Sequence, residues 1–247
     1  MTSLISVIMP YYKKKQFVKK SIESVLNQTY SNFEIIIIYD DTDIEDLNYI
    51  NEIKKLDKKI KIIQNEKNVG AGYSRNIGIS KSRGDYIAFL DCDDCWHKEK
   101  LFKQLKFMQE NKILFSFTSY QIINSNGEII KYRTAQKKIE FNDLLKDCNI
   151  GLSTVMLKKY IINEKCKFPN LKTKEDLVLW LKLSKNIHLY GIDIPLMQWR
   201  KSNDSLSSSI FQKLKDGFSV YKNFLGFNSL KSLFYLIILS INYLKKN

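Results

Sequence analysis

Gly84-Asp85-Tyr86-Ile87-Ala88-Phe89-Leu90-Asp91-Cys92-Asp93-Asp94 is the stretch on which the fold of this chain turns. Tyr86–Leu90 is a short apolar run bounded by turn-type residues and reads as a buried strand. It ends in three carboxylates within four residues. Strand side chains alternate faces, so Asp91 and Asp93 are expected on one side just past the strand end. Like charges that close raise each other's pKa unless a cation lies between them or a ligand uses them. A hard divalent cation, Mg²⁺ or Mn²⁺, held by one or two carboxylates and the phosphate oxygens of a substrate accounts for the cluster. The competing account is a polar loop in which Asp93 or Asp94 caps the helix beginning near His97.

Outward from this strand, the first half alternates strand and helix patterns. Strands are expected at Leu4–Met9, Phe33–Tyr39, Ile60–Gln64, Tyr86–Leu90 and Ile113–Thr118. Helices are expected at Gln16–Asn27, Asp43–Leu56, Ala71–Ser80 and Lys98–Glu110, where apolar residues recur at helical spacing. The four consecutive isoleucines within Phe33–Tyr39 point to burial on both faces. The order implies an α/β domain with a mostly parallel central sheet, whose ligands bind beyond the carboxyl ends of the strands. The second half is less regular. A hairpin is expected at Gln121–Tyr132, short helices at Phe141–Lys146 and Lys174–Leu183, and strands at Ser153–Leu157, Ile187–Tyr190 and Pro195–Trp199. Ile210–Leu244 reads as helical, interrupted near Gly226-Phe227-Asn228.

Three strand ends carry related chemistry: Pro10-Tyr11-Tyr12, Asp40-Asp41 and Asp91-Cys92-Asp93. Aromatic rings to stack on a base, a carboxylate to accept from a base N–H, and a metal-binding pair for phosphates make up a nucleotide site. There is no Gly-x-Gly-x-x-Gly after the first strand and no Gly-Lys-Ser/Thr loop, so the site is neither a dinucleotide Rossmann site nor a P-loop.

The formal net charge of +14 over 247 residues raises nucleic acid or an anionic membrane as partners. Arginine occurs only at Arg75, Arg83, Arg133 and Arg200, and the lysines are spread along the chain. A nucleic-acid reader usually concentrates arginine in a stripe, so none is expected as a partner. The four cysteines, Cys92, Cys95, Cys148 and Cys166, lack zinc spacing and read as reduced thiols of a cytosolic protein. A strand that starts at Leu4 leaves no room for a signal peptide.

Taken in order, these segments resemble the family 2 glycosyltransferases, which have the glycosyltransferase A-type fold. The resemblance rests on Ile5–Tyr12, Ser21–Glu34, Asn68-Val69-Gly70, Ser74-Arg75-Asn76-Ile77-Gly78, Gly84–Asp94 and Lys174-Glu175-Asp176, with Arg200 and Ser205-Leu206-Ser207 as a late element. It covers roughly residues 3 to 210. It implies a single Rossmann-like catalytic domain over 1–210, with a nucleotide-binding half (1–120) and an acceptor half (121–210), followed by a helical tail (211–247). It implies that Tyr12 stacks on the base beside Pro10 and that a carboxylate at the second strand end accepts from the base. Ungapped alignment assigns that carboxylate to Asp40, the favoured choice; alignment of the Asp pair assigns it to Asp41. Arg75 is placed near the nucleotide, Asp91 at the ribose, and Asp93 on a Mn²⁺ or Mg²⁺ that bridges the diphosphate. Asp176 is the base of an inverting transfer, and Glu175 and Arg200 are candidate diphosphate or acceptor contacts. The Gln-x-x-Arg-Trp element is absent and no long membrane span is present, which argues against a processive synthase.

The expected activity is transfer of a sugar from a nucleotide-diphosphate sugar, UDP-linked by expectation, to a hydroxyl of a saccharide or lipid-linked acceptor. The resemblance puts this in bacterial surface polysaccharide or oligosaccharide synthesis, in the cytoplasm or on the inner face of the plasma membrane. A sugar-nucleotide forming nucleotidyltransferase is one alternative, but it would carry a Gly-rich loop where this chain has Tyr11-Tyr12-Lys13-Lys14-Lys15. A non-catalytic binder of nucleic acid or anionic surfaces is another. The tail Ser229–Asn247 is apolar with lysines at its ends, as expected of a helix lying in an anionic interface. Packing on the catalytic domain or on a second subunit is the competing reading, and the oligomeric state is left open.

Overall fold

The computed structural model of the chain describes residues 2–201 and 210–246. β1 (Ile5–Tyr11) and β2 (Phe33–Tyr39) pair in parallel from Ile5 opposite Phe33 to Tyr11 opposite Tyr39. β3 (Ile60–Gln64) pairs in parallel on the far side of β2, and β4 (Tyr86–Phe89) on the far side of β1. All of β2 is buried. Its isoleucines divide by parity, with Ile36 and Ile38 in the core on one sheet face and Ile35 and Ile37 in the core on the other, the period of two that a strand imposes. The crossovers are α1 (Lys15–Leu26), α2 (Ile44–Lys54) and α3 (Ala71–Lys81). α1 buries Val18, Ile22 and Val25, one face at helical spacing. α2 starts at Asp43, whose carboxylate accepts from Glu45 N and Asp46 N, which satisfies two amides that have no partner within the helix.

The chain continues through β5 (Cys95–Trp96), α4 (Lys100–Glu110), β6 (Phe115–Ile123), β7 (Ile129–Arg133), β8 (Lys138–Ile139), α5 (Phe141–Leu144), a 3₁₀ turn at Leu152–Thr154, and β9 (Met156–Lys158). α6 (Glu175–Ser184), β10 (Leu189–Arg200), α7 (Ile210–Ser219), a π-helical turn at Val220–Phe224 and α8 (Ser229–Lys246) complete the order. The sheet order is β3-β2-β1-β4-β9-β6-β10-β5. β9 is antiparallel to both β4 and β6, and β10 is parallel to β6. The long strands therefore point one way, as the parallel reading requires, with one short reversed strand between the halves.

Three differences from the sequence reading have physical causes. The two strands expected at Ile187–Tyr190 and Pro195–Trp199 merge into one, β10, which begins at Leu189 and whose register against β6 shifts on either side of Pro195. A proline inside a sheet is accommodated at such an irregularity because it cannot donate to the ladder. Ser153 is in the 3₁₀ turn rather than the strand, because its hydroxyl and carbonyl serve Asp94 and Trp96. The helix after the carboxylates starts at Lys100 with Glu99 as N-cap, so neither Asp93 nor Asp94 caps it. The expected break in the tail is present: Gly226, at φ +72°, separates the π-helical turn from α8.

Candidate functional site

The ends of β1, β2 and β4 are tied together past their last paired residues. Asp40 N donates to Tyr11 O at 2.9 Å and Leu90 N to Ile8 O at 3.1 Å. Asp40 is buried. Its carboxylate accepts Asn65 Nδ2 at 2.7 Å and the Val69 and Gly70 amides at 2.8 Å, and its carbonyl accepts Asn68 Nδ2. Asn68-Val69-Gly70 is thus a loop wrapped on Asp40, and Gly70 takes φ +86°, where a side chain is disfavoured. Asp41, also buried, accepts Thr42 N at 2.8 Å and Lys13 N at 3.3 Å. The two aspartates have separate duties: Asp40 holds the loop that opens α3, and Asp41 adjoins the turn after β1.

Pro10 lies where β1 has lost its β4 partner, since that ladder ends at Ile8 opposite Phe89. Tyr11 belongs to the core. It stacks on Tyr39 with centroids 5.3 Å apart and donates its hydroxyl to Asp46 Oδ2 at 2.5 Å. Tyr12 is 37% exposed, with Lys13 Nζ 5.3 Å from its ring centroid.

The carboxylate cluster is a turn, not an extended strand end, because Asp94 N donates to Asp91 O at 3.1 Å. Asp91 and Asp93 consequently meet different partners. Asp91 Oδ1 lies 2.7 Å from Arg75 Nη2, and Asp93 Oδ2 lies 2.8 Å from Lys14 Nζ. Asp94 is buried, accepts from Ser153 Oγ at 2.5 Å and from Arg200 N at 3.0 Å, and is pushed well up in pKa by burial and then by Asp93 and Asp91.

Arg75 is 3% exposed. Besides Asp91 it binds Glu175 Oε1 through Nη1 at 2.8 Å, so both ends of its guanidinium are held by carboxylates. It is a positioning residue that links β4 to the start of α6. Thr173 N and Oγ1 both donate to the buried Asp216 Oδ2, at 2.9 and 3.0 Å, which pins the approach to α6 onto α7. Asp176 sits in the first turn and accepts Leu177 N at 2.7 Å. A helix start favours ionisation, but burial outweighs it and the Asp176 pKa is raised, with Lys174 and Arg75 opposing the rise. Glu175 is pushed up to about 7, by burial first, against the pull of Arg75.

Arg200 is buried. Its Nε donates to Asp93 O and its Nη1 to Asn124 O and Ser125 O, at 3.1 to 3.2 Å. These bonds brace the carboxylate turn against the β6–β7 hairpin. Ser205-Leu206-Ser207 lies outside the described residues.

No three His, Cys, Asp or Glu side chains converge as a closed metal cage among the described residues. Asp91 is 35% and Asp93 18% exposed. An open set of one or two carboxylates fits a Mg²⁺ or Mn²⁺ ion that also takes substrate phosphates as ligands. Sequence reasoning missed Lys14, Ser153 and Asp216. The first had a signal, in that Lys13-Lys14-Lys15 follows β1 at the carboxyl end of the sheet. The other two had none, because they act across 59 and 43 residues of chain.

The Glycosyl transferase family 2 model matches residues 6–165. TuaG of Bacillus subtilis, provisionally named as a teichuronic acid biosynthesis glycosyltransferase, is 33% identical over 98% of this chain and 97% of its own length. WfgD of Escherichia coli, a UDP-Glc:alpha-D-GlcNAc-diphosphoundecaprenol beta-1,3-glucosyltransferase, is 37% identical over 99% of this chain and 95% of its own. The crystal structure of S. aureus TarS 1–349 with UDP-GlcNAc superposes with a TM-score of 0.74 at 18% identity, covering 94% of this chain and 70% of TarS. The chain belongs to glycosyltransferase family 2 and is a glycosyltransferase with the A-type fold.

Proposed function

We propose that this enzyme moves a sugar from a UDP-sugar to a hydroxyl of a lipid-linked saccharide, with inversion, during synthesis of a bacterial surface polysaccharide. Family membership removes the nucleotidyltransferase and charge-driven binding alternatives. The observation that carries the proposal is the chain of ion pairs Asp91–Arg75–Glu175. Through the hydrogen bonds that Arg75 donates to both carboxyls, it joins the carboxylate turn, where a diphosphate would lie, to the first turn of α6, where Asp176 would act. The relatives' names supply the substrate class: one uses UDP-Glc and a GlcNAc-diphosphoundecaprenol acceptor, and another is named for teichuronic acid.

In this reading Tyr12 stacks on the base and Asp41 or Asp40 accepts from it. A divalent cation would be held by Asp93, with Asp91 beside it, and would neutralise the diphosphate as it leaves. The acceptor oxygen attacks the anomeric carbon while the bond from that carbon to the diphosphate oxygen breaks. The hydroxyl proton passes to the Asp176 carboxylate, and the nucleoside diphosphate departs. Among the described residues no helix is long and apolar enough to cross a membrane. α8 instead presents Leu230, Leu233, Phe234, Ile237, Ile241 and Leu244 outward, a single stripe at helical spacing. We place it on the inner face of the plasma membrane, where a lipid-linked acceptor is met.

The test is a screen of nucleotide sugars against a short alkyl-diphosphate-linked GlcNAc, reading released nucleoside diphosphate and the anomeric configuration of the product. Release with UDP-sugars and an inverted linkage is expected. Release only with a non-uridine donor would overturn the donor assignment, and a retained configuration would overturn the single displacement.

A further inference from the structure

The turn after β1 carries three consecutive lysines, and each has a different partner. Lys13 holds a left-handed backbone at φ +50°, strained for a lysine, and its amide donates to Asp41 Oδ2 at 3.3 Å. Lys15 Nζ is 3.2 Å from Asp46 Oδ1 on α2. Lys14, the N-cap of α1, is the one that crosses to the carboxylate turn, where its Nζ is 2.8 Å from Asp93 Oδ2. It stands two positions from Tyr12 and is ion-paired with Asp93. Those two residues mark the base end and the cation end of the donor in the reading above, so a diphosphate running between them passes the Lys14 ammonium.

The other cations bonded to this turn, among the described residues, are Arg75 and Arg200, and both are buried, at 3% and 5% exposed. Arg75 gives Nη1 to Glu175 and Nη2 to Asp91. Arg200 gives Nε and Nη1 to the carbonyls of Asp93, Asn124 and Ser125. Lys14 keeps 24% of its side chain exposed, and Asp93 is its one carboxylate partner among the described residues. An ammonium has three N–H donors, so two remain for a ligand. The open side of the turn thus shows an incoming anion the carboxylates of Asp91 and Asp93, which repel it, and the Lys14 ammonium, which attracts it.

We propose that Lys14 is a ligand of the donor's diphosphate, and that its ammonium bridges the diphosphate to Asp93 so that the nucleotide binds without a divalent cation. The proposal rests on the donor reading above and adds to it one binding residue and a metal-free binding mode. A cation that takes Asp93 displaces the ammonium from that oxygen and leaves its bond to the phosphate in place.

The test compares UDP with uridine by calorimetry on the full chain in EDTA. Wild type is expected to bind UDP at least ~10-fold more tightly than uridine, about one charge-assisted hydrogen bond. Lys14→Met should bring UDP down to the affinity of uridine while uridine itself binds as before, which shows that the base end of the site is intact. Lys14→Arg should restore most of the preference. Lys15→Met, which removes the same charge one residue away, should keep it. A wild type that does not prefer UDP in EDTA, or a Lys14→Met variant that still does, would overturn the proposal. So would an equal loss in Lys15→Met, which would assign the effect to net charge. If UDP fails to bind with Mn²⁺ saturating as well, the donor reading itself falls.

Discussion

Lys14 Nζ and Asp93 Oδ2 are 2.8 Å apart, so a tethered ammonium sits on the carboxylate proposed to hold a divalent cation. The two cations compete for one oxygen. Lys14→Met should lower the Mn²⁺ concentration that half-saturates UDP binding by about two- to fivefold, the equivalent of the ~0.5–1 kcal/mol of a partly exposed pair. Asp93→Asn should remove the Mn²⁺ dependence altogether. Equilibrium dialysis of UDP across a Mn²⁺ series measures both, and unchanged Mn²⁺ dependence in the Asn variant would take Asp93 out of the metal site.

Asp176→Asn is expected to keep UDP binding and lose turnover by at least ~10², the lower end of what a positioned base contributes. Because burial raises the Asp176 pKa, the ionised base is lost at a higher pH than for an ordinary aspartate. The acid limb of kcat in wild type should therefore lie above the usual carboxylate range. Steady-state rates from pH 5 to 9 test this, and a limb at ordinary aspartate pH would contradict it.

Glu175 has its pKa raised from 4.5 to about 7. Between those values the folded protein holds a proton that the unfolded chain has released, so stability falls as pH rises through this window. Thermal melts should show Tm declining from pH 5 to pH 7.5, with the slope reduced in Glu175→Gln. A slope as steep in the variant would assign the effect to Asp94 and Asp176, whose carboxyls are also raised.

Gly72 packs against the segment that leads into α6. A Cβ there would meet Pro169 O at 3.0 Å and Glu175 Cγ at 3.2 Å. Gly72→Ala gains up to ~1 kcal/mol of helix propensity, which offsets part of the crowding, so Tm should move little. The shift of Glu175 relative to Arg75 should nonetheless cut kcat by about tenfold, given how steeply rate depends on placement. A variant with wild-type kcat would show that the α6 start is not held by this contact.

The outward stripe of α8 should carry the chain onto vesicles. Ser232 and Leu239 on the opposite face are buried, so removing the helix would also strip the core. Substitution is the cleaner probe. Phe234→Glu with Ile237→Glu, both at least half exposed, should leave Tm within a few degrees and abolish co-sedimentation with anionic liposomes. Equal sedimentation of both proteins would identify the stripe as a protein-packing face.

The parallel half of the fold was legible because β1, β2 and β4 are buried on both faces and α1 shows clean helical periodicity. β2, β3 and α3 are found where those patterns put them, within a residue or so. A strand ending near Leu157 was legible, but the reversal of β9 was not, since three residues carry too little pattern to show which neighbours they join. β5 and β8, at two residues each, were missed for the same reason. At the candidate site, the residue types at the strand ends could be read, but their division of labour could not. Asp40 binds its own loop and Arg75 lies beneath the surface because of partners far away in sequence. Arg200 likewise reaches carbonyls of residues 93, 124 and 125, contacts that only the assembled hairpin supplies.

The seam at β9 also bears on how the molecule deforms. A cleft enzyme that closes like jaws needs a crossing with few bonds between its moving parts. Here the crossing is a ladder: β9 bonds to β4 on one edge and to β6 on the other. The strand ends that carry Asp40 and Asp91 and those that carry Tyr120 and Arg200 are thus set in one stiff plate. The turn at residues 91–94 is fastened to the same plate, because Arg200 donates to the carbonyls of Asp93, Asn124 and Ser125. Through β9 the two halves of the candidate site are held at a fixed spacing, like two fixtures bolted to one bench.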